Sequence, residues 1–352
     1  MTPFLRPWLH GMPRYSPGRH ASTEAYSLAS NEAPYPPPRQ VLDAIAAAGP
    51  ACNRYPDPLA KELRSALADY HGVAPESILL GNGSDELIYL IVTAYLAQGG
   101  AALVADPGYR LNVIAAQRVN AHVIPVPLLS WTHDLETMAR YESDVAFIVN
   151  PHNPTGTVAS ARSLREFVDT RRSRMVVVDE AYIDFADHGA TESAIPFAAR
   201  DDVIVLRTFS KFFGLAGLRV GYLIATPAIV DELAALRAPF SVSGVAQAAA
   251  LAALRAVDHY AALRSEIIGC REELTRQLQA CGIPVVESQA NFVLIHSVDE
   301  DDFLRELGER GISARGGSTL GVSGTVRLTV PGSAALPAVC SAIRGMRLHS
   351  TV

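Results

Sequence analysis

Lys211 is the residue whose surroundings in the sequence point most directly to chemistry. It lies in the segment Thr-Phe-Ser-Lys-Phe-Phe-Gly, between aromatic side chains and the hydroxyl of Ser210. Apolar surroundings lower the pKa of an ammonium group and free its lone pair for nucleophilic attack. An exposed surface lysine is the alternative, and it fits poorly because apolar residues and glycines surround Lys211. Ser210 and Arg219 add a hydroxyl and a fork-shaped cation suited to a phosphate.

Asp179 is the second candidate for a chemical role. It continues the apolar run at 175–178, where an unpaired carboxylate is costly, so it needs a cationic or N–H partner. Tyr182, three residues further on, can face the same space. A purely structural ion pair is the alternative for Asp179.

Two loops that follow apolar runs present groups suited to a ligand. Gly81-Asn82-Gly83-Ser84-Asp85 precedes a helical pattern, and a glycine turn that opens a helix presents free N–H groups to a phosphate. A helix N-cap supplied by Ser84 is the alternative there. Asn150-Pro151-His152-Asn153-Pro154-Thr155-Gly156 holds the Asn153 amide in a loop that two prolines fix. An ordinary Asn-Pro turn is the alternative for this loop.

The segments that position these residues alternate between two patterns from about residue 40 to 240. Short β-branched runs predict strands at 77–80, 101–105, 144–149, 175–178, 203–206 and 221–225. Helical spacing predicts helices at 59–72, 86–96, 111–119, 163–172 and 227–237. Strands that are apolar on nearly every residue, separated by helices, indicate an α/β fold with a mainly parallel sheet covered on both faces. Right-handed crossovers then bring the C-terminal ends of several strands to one edge.

The rest of the chain predicts a smaller α/β unit. An alanine-rich segment from about 244 to 281 is one long helix or two, and its length suits a connector. Strands at 291–296, 312–314 and 325–330 and helices near 301–309 and 334–346 follow. The first 40 residues contain eight prolines, too many for regular structure, and are expected to form an arm. The predicted division is an N-terminal arm or small-domain part at 1–40, a large domain at 41–240, and a connector helix with a small C-terminal domain at 241–352.

Composition restricts the class of protein. The 352 residues carry 30 Lys plus Arg against 36 Asp plus Glu, a net charge of −6, so no overall attraction to nucleic acid or anionic lipid is expected. No apolar segment is long enough to span a bilayer, and residues 1–20 lack the apolar core of a signal peptide. Cys52, Cys270, Cys281 and Cys340 form no Cys-x-x-Cys pair, so neither a disulfide framework nor a metal site is predicted. A reduced, cytoplasmic location is the expectation.

Together these motifs resemble those of a known family. Asn-Pro-His-Asn-Pro-Thr-Gly, Asp-Glu-Ala-Tyr and Thr-Phe-Ser-Lys-x-Phe-Gly-Leu-Ala-Gly-Leu-Arg are similar to motifs of the fold-type I pyridoxal-phosphate aminotransferases. Within them the sequence is most similar to histidinol-phosphate aminotransferases and their aromatic-aminotransferase relatives. The resemblance runs from about residue 27 to 330. It implies a PLP-dependent transferase fold, with a large domain whose sheet is sandwiched by helices and a smaller α/β domain.

The resemblance also implies roles in binding pyridoxal 5′-phosphate. Lys211 would hold the cofactor covalently and carry the proton at the substrate Cα, while Asp179 would pair with the pyridinium nitrogen. Asn153 and Tyr182 would bond the phenolic oxygen of the ring, and Tyr109 would stack on its face. The cofactor-binding set is completed, mainly at the phosphate, by Gly83, Ser84, Asp85, Thr208, Ser210 and Arg219.

A partner subunit is implied as well. Segment 53–57, Asn-Arg-Tyr-Pro-Asp, is similar to one whose tyrosine, here Tyr55, reaches the cofactor phosphate of the other subunit. That arrangement implies a homodimer with shared active sites. Taken without the resemblance, Tyr55 would be interpreted as a turn aromatic.

Four residues are implied on the substrate side. Arg327, in the strand pattern Val-Arg-Leu-Thr, and Arg315 would grip the substrate anion, because a guanidinium binds a carboxylate or a phosphate bidentately. A solvent-facing charge is the alternative for these arginines. Tyr15 would close over the pocket, with simple packing of the arm as its alternative, and Asn31 would line the substrate side.

The function implied is ping-pong transamination of the histidinol-phosphate aminotransferase type, from L-histidinol phosphate to 2-oxoglutarate. The alternatives are an aromatic amino acid (phenylalanine) aminotransferase, or a decarboxylase or cyclase that uses the same cofactor. Departures from the family pattern at Ala33, Asn112 and Phe212 leave the cofactor chemistry intact and put the substrate in question.

Overall fold

The computed structural model describes residues 6–12, 26–96 and 99–346. Its strands are β1 (Tyr26–Ser27), β2 (Ile78–Asn82), β3 (Ala101–Asp106), β4 (His122–Pro127), β5 (Ser143–Val149), β6 (Ser173–Asp179), β7 (Val203–Thr208), β8 (Val220–Ile224), β9 (Val285–Val286), β10 (Phe292–His296), β11 (Ile312–Ser313), β12 (Arg315–Gly316) and β13 (Thr325–Thr329). Its α-helices are α1 (Arg39–Ala48), α2 (Lys61–His71), α3 (Gly83–Tyr95), α4 (Arg110–Arg118), α5 (Leu135–Met138), α6 (Ala161–Thr170), α7 (Pro227–Leu236), α8 (Gly244–Arg255), α9 (Val257–Ala280), α10 (Glu300–Glu309) and α11 (Leu336–Arg344). Within these ranges no helix is both long and apolar enough to cross a membrane.

The largest sheet has seven strands in the order β2-β8-β7-β6-β5-β3-β4. Neighbouring strands from β7 to β4 are parallel, and β8 runs antiparallel to both β2 and β7. The prediction of a mainly parallel α/β sheet is therefore confirmed. The β-branched runs form strands here because their side chains fill both faces of a sheet that has no solvated side.

Each central strand alternates its side chains between two hydrophobic cores. On β6, Val176 and Val178 belong to the core that also contains Leu67 of α2, while Val177 belongs to the opposite core with Ile91 of α3. All five side chains are fully buried. Because helices cover both faces, the groups that follow the strand ends lie where a ligand can reach them.

Some elements differ from the sequence-based expectation. The sequence does not predict β4, which contains Pro125 and Pro127; as the last strand of the sheet it tolerates them, because one side of an edge strand needs no partner. It also does not predict α1, whose N-cap, Pro38, is the last of four closely spaced prolines. The alanine-rich segment forms two helices, α8 and α9, which meet at Ala256.

The C-terminal part forms a second unit around a separate core. Its sheet has the order β12-β13-β10-β9, and β1 from the N-terminal segment pairs in parallel with β11. The helix α9 connects the two units, because Tyr260 near its start belongs to the core of the large sheet and Leu278 near its end to the core of the second unit. The division at 40/41 and 240/241 stays a prediction.

Replacing Leu67 with alanine is expected to lower the free energy of unfolding by about 2–5 kcal/mol, because the buried side chain leaves a cavity beside the sheet. Leu129 is 64% exposed, so Leu129→Ala is the control and is expected to change that free energy by about 0.5 kcal/mol or less. Denaturant unfolding followed by circular dichroism measures both. Equal effects of the two substitutions would contradict the packing of α2 against the sheet.

Candidate active site

The C-terminal ends of β5, β6 and β7 bring the candidate chemical groups to one edge of the sheet. In the strand register, Val149 of β5 lies opposite Asp179 of β6, which lies opposite Leu206 of β7. Asn153 follows β5 and Lys211 follows β7. Since parallel strands place the residues after them on the same side, these two side chains and Asp179 share one edge.

Asp179 is a buried carboxylate at this edge. It is 5% exposed, and its Oδ1 accepts a hydrogen bond from the backbone N–H of Ala181 at 3.0 Å. Burial raises the pKa of the carboxyl to about 7; the charges of Asp85 and Glu180 act in the same direction, and the Ala181 N–H acts against it. Because a carboxylate has about four acceptor positions, Asp179 can also receive a cationic or protonated group of a ligand.

The amine of Lys211 is held by the N-terminal segment of the chain. Its Nζ donates to the backbone oxygens of Ser30 at 3.0 Å and Asn31 at 3.1 Å, and it lies 5.7 Å from the centre of the Tyr182 ring. Burial lowers the pKa of this amine to about 8, with the cation of Arg327 acting in the same direction. At mildly alkaline pH a large fraction of the amine therefore carries a free lone pair.

A group of donors surrounds the start of α3 and the loop after β7. Arg219 joins the two segments: its Nη2 donates to Asp85 at 3.0 Å and its Nη1 to the hydroxyl of Ser210 at 3.4 Å. The hydroxyl of Thr208 donates to that of Ser210 at 3.0 Å. Tyr109 donates from its hydroxyl to Asp85 at 3.0 Å. Hydroxyls, a guanidinium and the N-terminal N–H groups of α3 together suit a phosphate.

Two glycines allow these groups to approach one another. Gly83, with φ +73°, lies so close to Arg219 that an added Cβ would be 2.4 Å from its Nη2. At Gly221 an added Cβ would be 2.4 Å from the backbone nitrogen of Ser84. A side chain at Gly83 would therefore displace the Arg219 guanidinium, and one at Gly221 would push β8 away from the start of α3.

Arg327, on β13, reaches the loop that carries Asn153. Its Nη1 donates to Oδ1 of Asn153 at 2.7 Å, and its Nη2 donates to the carbonyl of Ala29 at 2.9 Å. The first bond orients the amide, because it leaves the NH₂ group of Asn153 to face other acceptors.

Arg315 accompanies Arg327 on the second sheet. The register of β12 and β13 places the two residues directly opposite each other, so their side chains share one face. They are 7% and 6% exposed. The solvent-facing alternative for these arginines is therefore wrong.

Tyr182 and Asn31 are in direct contact. Tyr182 is buried and packs edge-on against Phe292, with 5.1 Å between ring centres. Its hydroxyl accepts a hydrogen bond from Nδ2 of Asn31 at 3.0 Å. Asn31 thus lies between Tyr182 and the Lys211 amine, and its contact with a substrate stays a prediction.

The structure does not place two of the candidate residues, Tyr55 and Tyr15, in this cluster. Tyr55 is 82% exposed and stacks on Phe240, with 4.5 Å between ring centres. Tyr15 lies outside the described residues.

A buried ion pair behind Asp179 is not predicted from the sequence. Arg207 donates to Glu180 at 3.0 Å and to Asp184 at 2.9 Å. Glu180 also accepts from the hydroxyl of Ser193 at 2.7 Å. These bonds join the end of β6 to β7, the strand that leads to Lys211. The signal was present in the sequence: Glu180 and Arg207 both extend apolar strand runs, where a charge needs an opposite charge.

Comparison with known proteins identifies the family. The profile of the family described as aminotransferase class I and II matches residues 23–343. This chain belongs to the class I and II aminotransferases.

Individual relatives cover nearly the whole chain. It is 35% identical over 334 residues to a histidinol-phosphate aminotransferase of Moorella thermoacetica, with 93% of this chain and 86% of the relative covered. It is 38% identical over 327 residues to an aromatic amino acid aminotransferase of Mycobacteroides abscessus, with 92% and 94% covered. A crystal structure of histidinol-phosphate aminotransferase from Sinorhizobium meliloti in complex with pyridoxal-5′-phosphate matches at a TM-score of 0.88 and 25% identity, covering 98% of each chain.

The aminotransferase is therefore a fold-type I enzyme that depends on pyridoxal 5′-phosphate, as the resemblance implies. The groups at the sheet edge fit this cofactor. A protonated ring nitrogen suits the buried Asp179, and an aldehyde suits an amine whose pKa is about 8. A phosphate suits the Arg219 guanidinium, the Ser210 hydroxyl and the N–H groups that open α3. The assignment of individual residues to the cofactor and to the substrate stays a prediction.

Labelling can test the state of the Lys211 amine, because the aminotransferase has only two lysines, Lys211 and the exposed Lys61. An amine-reactive reagent applied to the cofactor-free protein is expected to modify Lys211 with a midpoint near pH 8, since below that pH the amine is protonated. Peptide mapping by mass spectrometry measures both sites, and Lys61 in the same digest reports the reactivity of the reagent. A midpoint near the ordinary lysine value of about 10.4 would contradict the burial of the amine.

Proposed function

We propose that the enzyme transfers the amino group of L-histidinol phosphate to 2-oxoglutarate in two half-reactions. The observation that carries this proposal is the pair of buried guanidiniums, Arg315 and Arg327, opposite each other on neighbouring strands. A phosphorylated donor and a dicarboxylate acceptor both bring a multidentate anion to the same pocket, and two arginines can hold either one. Relatives named histidinol-phosphate aminotransferase, at 35% and 37% identity, support this substrate.

In this proposal the sheet edge holds and activates the cofactor. Pyridoxal 5′-phosphate, when bound, supplies an electron sink for the electron pair that remains when the substrate Cα loses its proton. Lys211 would hold it through Nζ, and Asp179 would keep its ring nitrogen protonated. The carboxyl of Asp179 would gain a cationic partner in this way, which favours its ionised form against the effect of burial. Asn153 and Tyr182 would bond the phenolic oxygen.

The remaining cofactor contacts fix its other end and its face. The N–H groups of Ser84 and Asp85 at the start of α3 would bind the phosphate, together with Thr208, Ser210 and Arg219. Gly83 would line the same turn, and its N–H donates to the carbonyl of Arg219 at 3.0 Å. Tyr109 would pack on the ring, and its hydrogen bond to Asp85 at 3.0 Å ties this aromatic side chain to the phosphate end.

Lys211 also moves the substrate proton. A general base works best when its pKa lies near the operating pH, and the pKa of this amine is about 8. Once the substrate's own amine takes its place on the cofactor, Nζ would be free to take the proton from the substrate Cα and hold it. The carbonyls of Ser30 and Asn31, which accept from Nζ at 3.0 and 3.1 Å, limit the directions in which the amine can point.

An aromatic amino acid such as phenylalanine is the second candidate donor. Phe292 and Tyr182 form an aromatic wall beside Arg327, whose guanidinium lies 5.4 Å from the centre of the Phe292 ring. A relative named aromatic amino acid aminotransferase is 38% identical. Of the departures from the family pattern, Asn112 and Phe212 are buried, and Phe212 packs against Phe213 and Tyr260 in the core of the large sheet.

We also propose a homodimer with shared active sites. Tyr55 and Phe240 form an exposed aromatic stack, and exposed aromatic pairs are favoured at protein interfaces. In this arrangement Tyr55 of one subunit completes the phosphate site of its partner. The cytoplasmic location stays a prediction.

Replacing Arg315 with glutamine is expected to raise KM for L-histidinol phosphate roughly 10–100-fold, because a charge-assisted bond to the phosphate is lost. The affinity for the cofactor is expected to stay nearly unchanged. Steady-state kinetics with L-histidinol phosphate and phenylalanine as donors, and cofactor titration by absorbance, measure these effects. A higher kcat/KM for phenylalanine than for L-histidinol phosphate in the unmodified enzyme would instead support the aromatic candidate.

Subunit mixing can test the shared active sites. Lys211→Ala is expected to abolish turnover, and Tyr55→Ala to weaken it strongly through loss of the cofactor. In a mixed dimer one site keeps both residues, so refolding the two variants together is expected to restore about a quarter of the normal activity. Lys61→Ala refolded with Tyr55→Ala is the control for recovery on refolding, and about half of the normal activity is expected from it. No recovery above the separate variants would contradict the contribution of Tyr55 across the interface.

A further inference from the structure

The side chain of Asn31 has a fixed direction in the structure. Its backbone N–H donates to the hydroxyl of Thr329 at 2.9 Å, and that hydroxyl donates its proton to Oδ1 of Asn31 at 3.4 Å. A hydroxyl has one proton, so once its acceptor side faces the N–H, its proton goes to the amide oxygen. The NH₂ end of the Asn31 amide therefore points the other way, to Tyr182.

The orientation of the Asn31 amide determines which atom donates in its hydrogen bond with Tyr182. Nδ2 of Asn31 donates to the Tyr182 hydroxyl at 3.0 Å, so the phenol oxygen acts as an acceptor there. A phenol has one proton of its own, and this proton must then be given to a different acceptor. On the opposite side of Tyr182 the proposed site holds the phenolic oxygen of the cofactor.

The backbone conformation at Asn31 supports the same arrangement. Asn31 adopts φ +54°, in the left-handed region that asparagine tolerates better than most residues. In this conformation its carbonyl accepts from Nζ of Lys211 at 3.1 Å and from Nδ2 of Asn291 at 3.2 Å. One buried residue therefore contacts both Tyr182 and the amine that would hold the cofactor.

We infer that Asn31 is a positioning residue that makes Tyr182 a hydrogen-bond donor toward the cofactor. This inference rests on the proposed role of Tyr182 in binding the phenolic oxygen. A hydrogen bond donated to that oxygen stabilises its ionised form, so the linkage between Lys211 and the cofactor holds its proton less strongly. Asn31 thereby lowers the pH at which the bound cofactor is deprotonated, without touching the cofactor itself.

The charged groups that face Tyr182 act alongside this bond. Burial raises the pKa of the phenol, the cation of Arg327 and the bond from Asn31 lower it, and the carboxylates of Asp179 and Asp85 raise it. The net effect raises the pKa of the phenol above its ordinary value of about 10, so the phenol is protonated and able to donate at neutral pH. Nδ2 of Asn31, which donates to the phenol oxygen at 3.0 Å, acts directly on the direction of the phenol proton, because an oxygen that accepts on one side must donate on another.

A spectroscopic titration of the holoenzyme tests the inference. The absorbance band of the bound cofactor is followed against pH in the unmodified enzyme, Asn31→Asp, Tyr182→Phe and the double variant. Asn31→Asp replaces the donor by an acceptor of the same shape, so Tyr182 turns its proton toward residue 31. Asn31→Asp is expected to raise the titration midpoint by about one pH unit more when residue 182 is tyrosine than when it is phenylalanine.

Two further variants separate this effect from a general disturbance of the fold. Asn31→Gly keeps the left-handed backbone and removes the side-chain amide. Its titration midpoint is expected to rise less than that of the Asn31→Asp enzyme, and to rise only when Tyr182 is present. Asn291→Ala removes a bond to the Asn31 carbonyl at 3.2 Å but none to Tyr182, and is the matched control with an unchanged midpoint. Circular dichroism and cofactor content are recorded for every variant.

The outcomes are distinct. Two results would overturn the inference while leaving the role of Tyr182 in place. In the first, the shifts from Asn31→Asp and Asn31→Gly agree within about 0.3 pH unit between the Tyr182 and Tyr182→Phe enzymes. In the second, Asn291→Ala shifts the midpoint as much as Asn31→Asp does. A Tyr182→Phe enzyme with the unmodified midpoint would overturn both the inference and the assignment of Tyr182 to the cofactor. A shift that depends on Tyr182 supports both.

Discussion

The removal of one carboxylate and one amine from water, at the same edge of one sheet, is the constraint on which the site depends. Burial raises the pKa of the Asp179 carboxyl to about 7 and lowers that of the Lys211 amine to about 8. Groups with such values keep little of the hydration that stabilises a surface charge, so the protein must supply their partners. It does so with the Ala181 N–H for the acid and two backbone carbonyls for the amine.

The partners of the amine lie far from it in the sequence. The carbonyls that accept from Lys211 belong to residues 30 and 31. The bond between Asn31 and Thr329 holds this segment beside β13 of the second unit. Arg327 of the same strand reaches back to Asn153, on the loop after β5. The candidate active site therefore lies between the large sheet and the second unit. A change in the position of one unit would alter the cofactor side and the substrate side together.

The same arrangement explains why aminotransferases with different donors can be so similar. In the proposed assignment, the groups around Asp179 and Lys211 serve chemistry common to the family, whereas the few side chains near Arg315 and Arg327 select the donor. Relatives named for histidinol phosphate and for aromatic amino acids accordingly show similar identity to this chain, 35% and 38%. The second unit, which carries both arginines, is where selection between these donors would act.

The sequence by itself determined the α/β class, most strands and helices of the large sheet, and the family, because these depend on local periodicity and on short motifs at strand ends. It did not predict β4 or α1, where prolines obscure the local pattern, and it left open whether 244–281 is one helix or two. Only the tertiary structure decided which partners each site residue has. Three contacts show this: Arg207 pairs with Glu180, Arg315 lies opposite Arg327, and Asn31 contacts Tyr182. They join residues that are 12 to 151 positions apart in the sequence. Such contacts follow from strand register and side-chain packing, which no local pattern encodes.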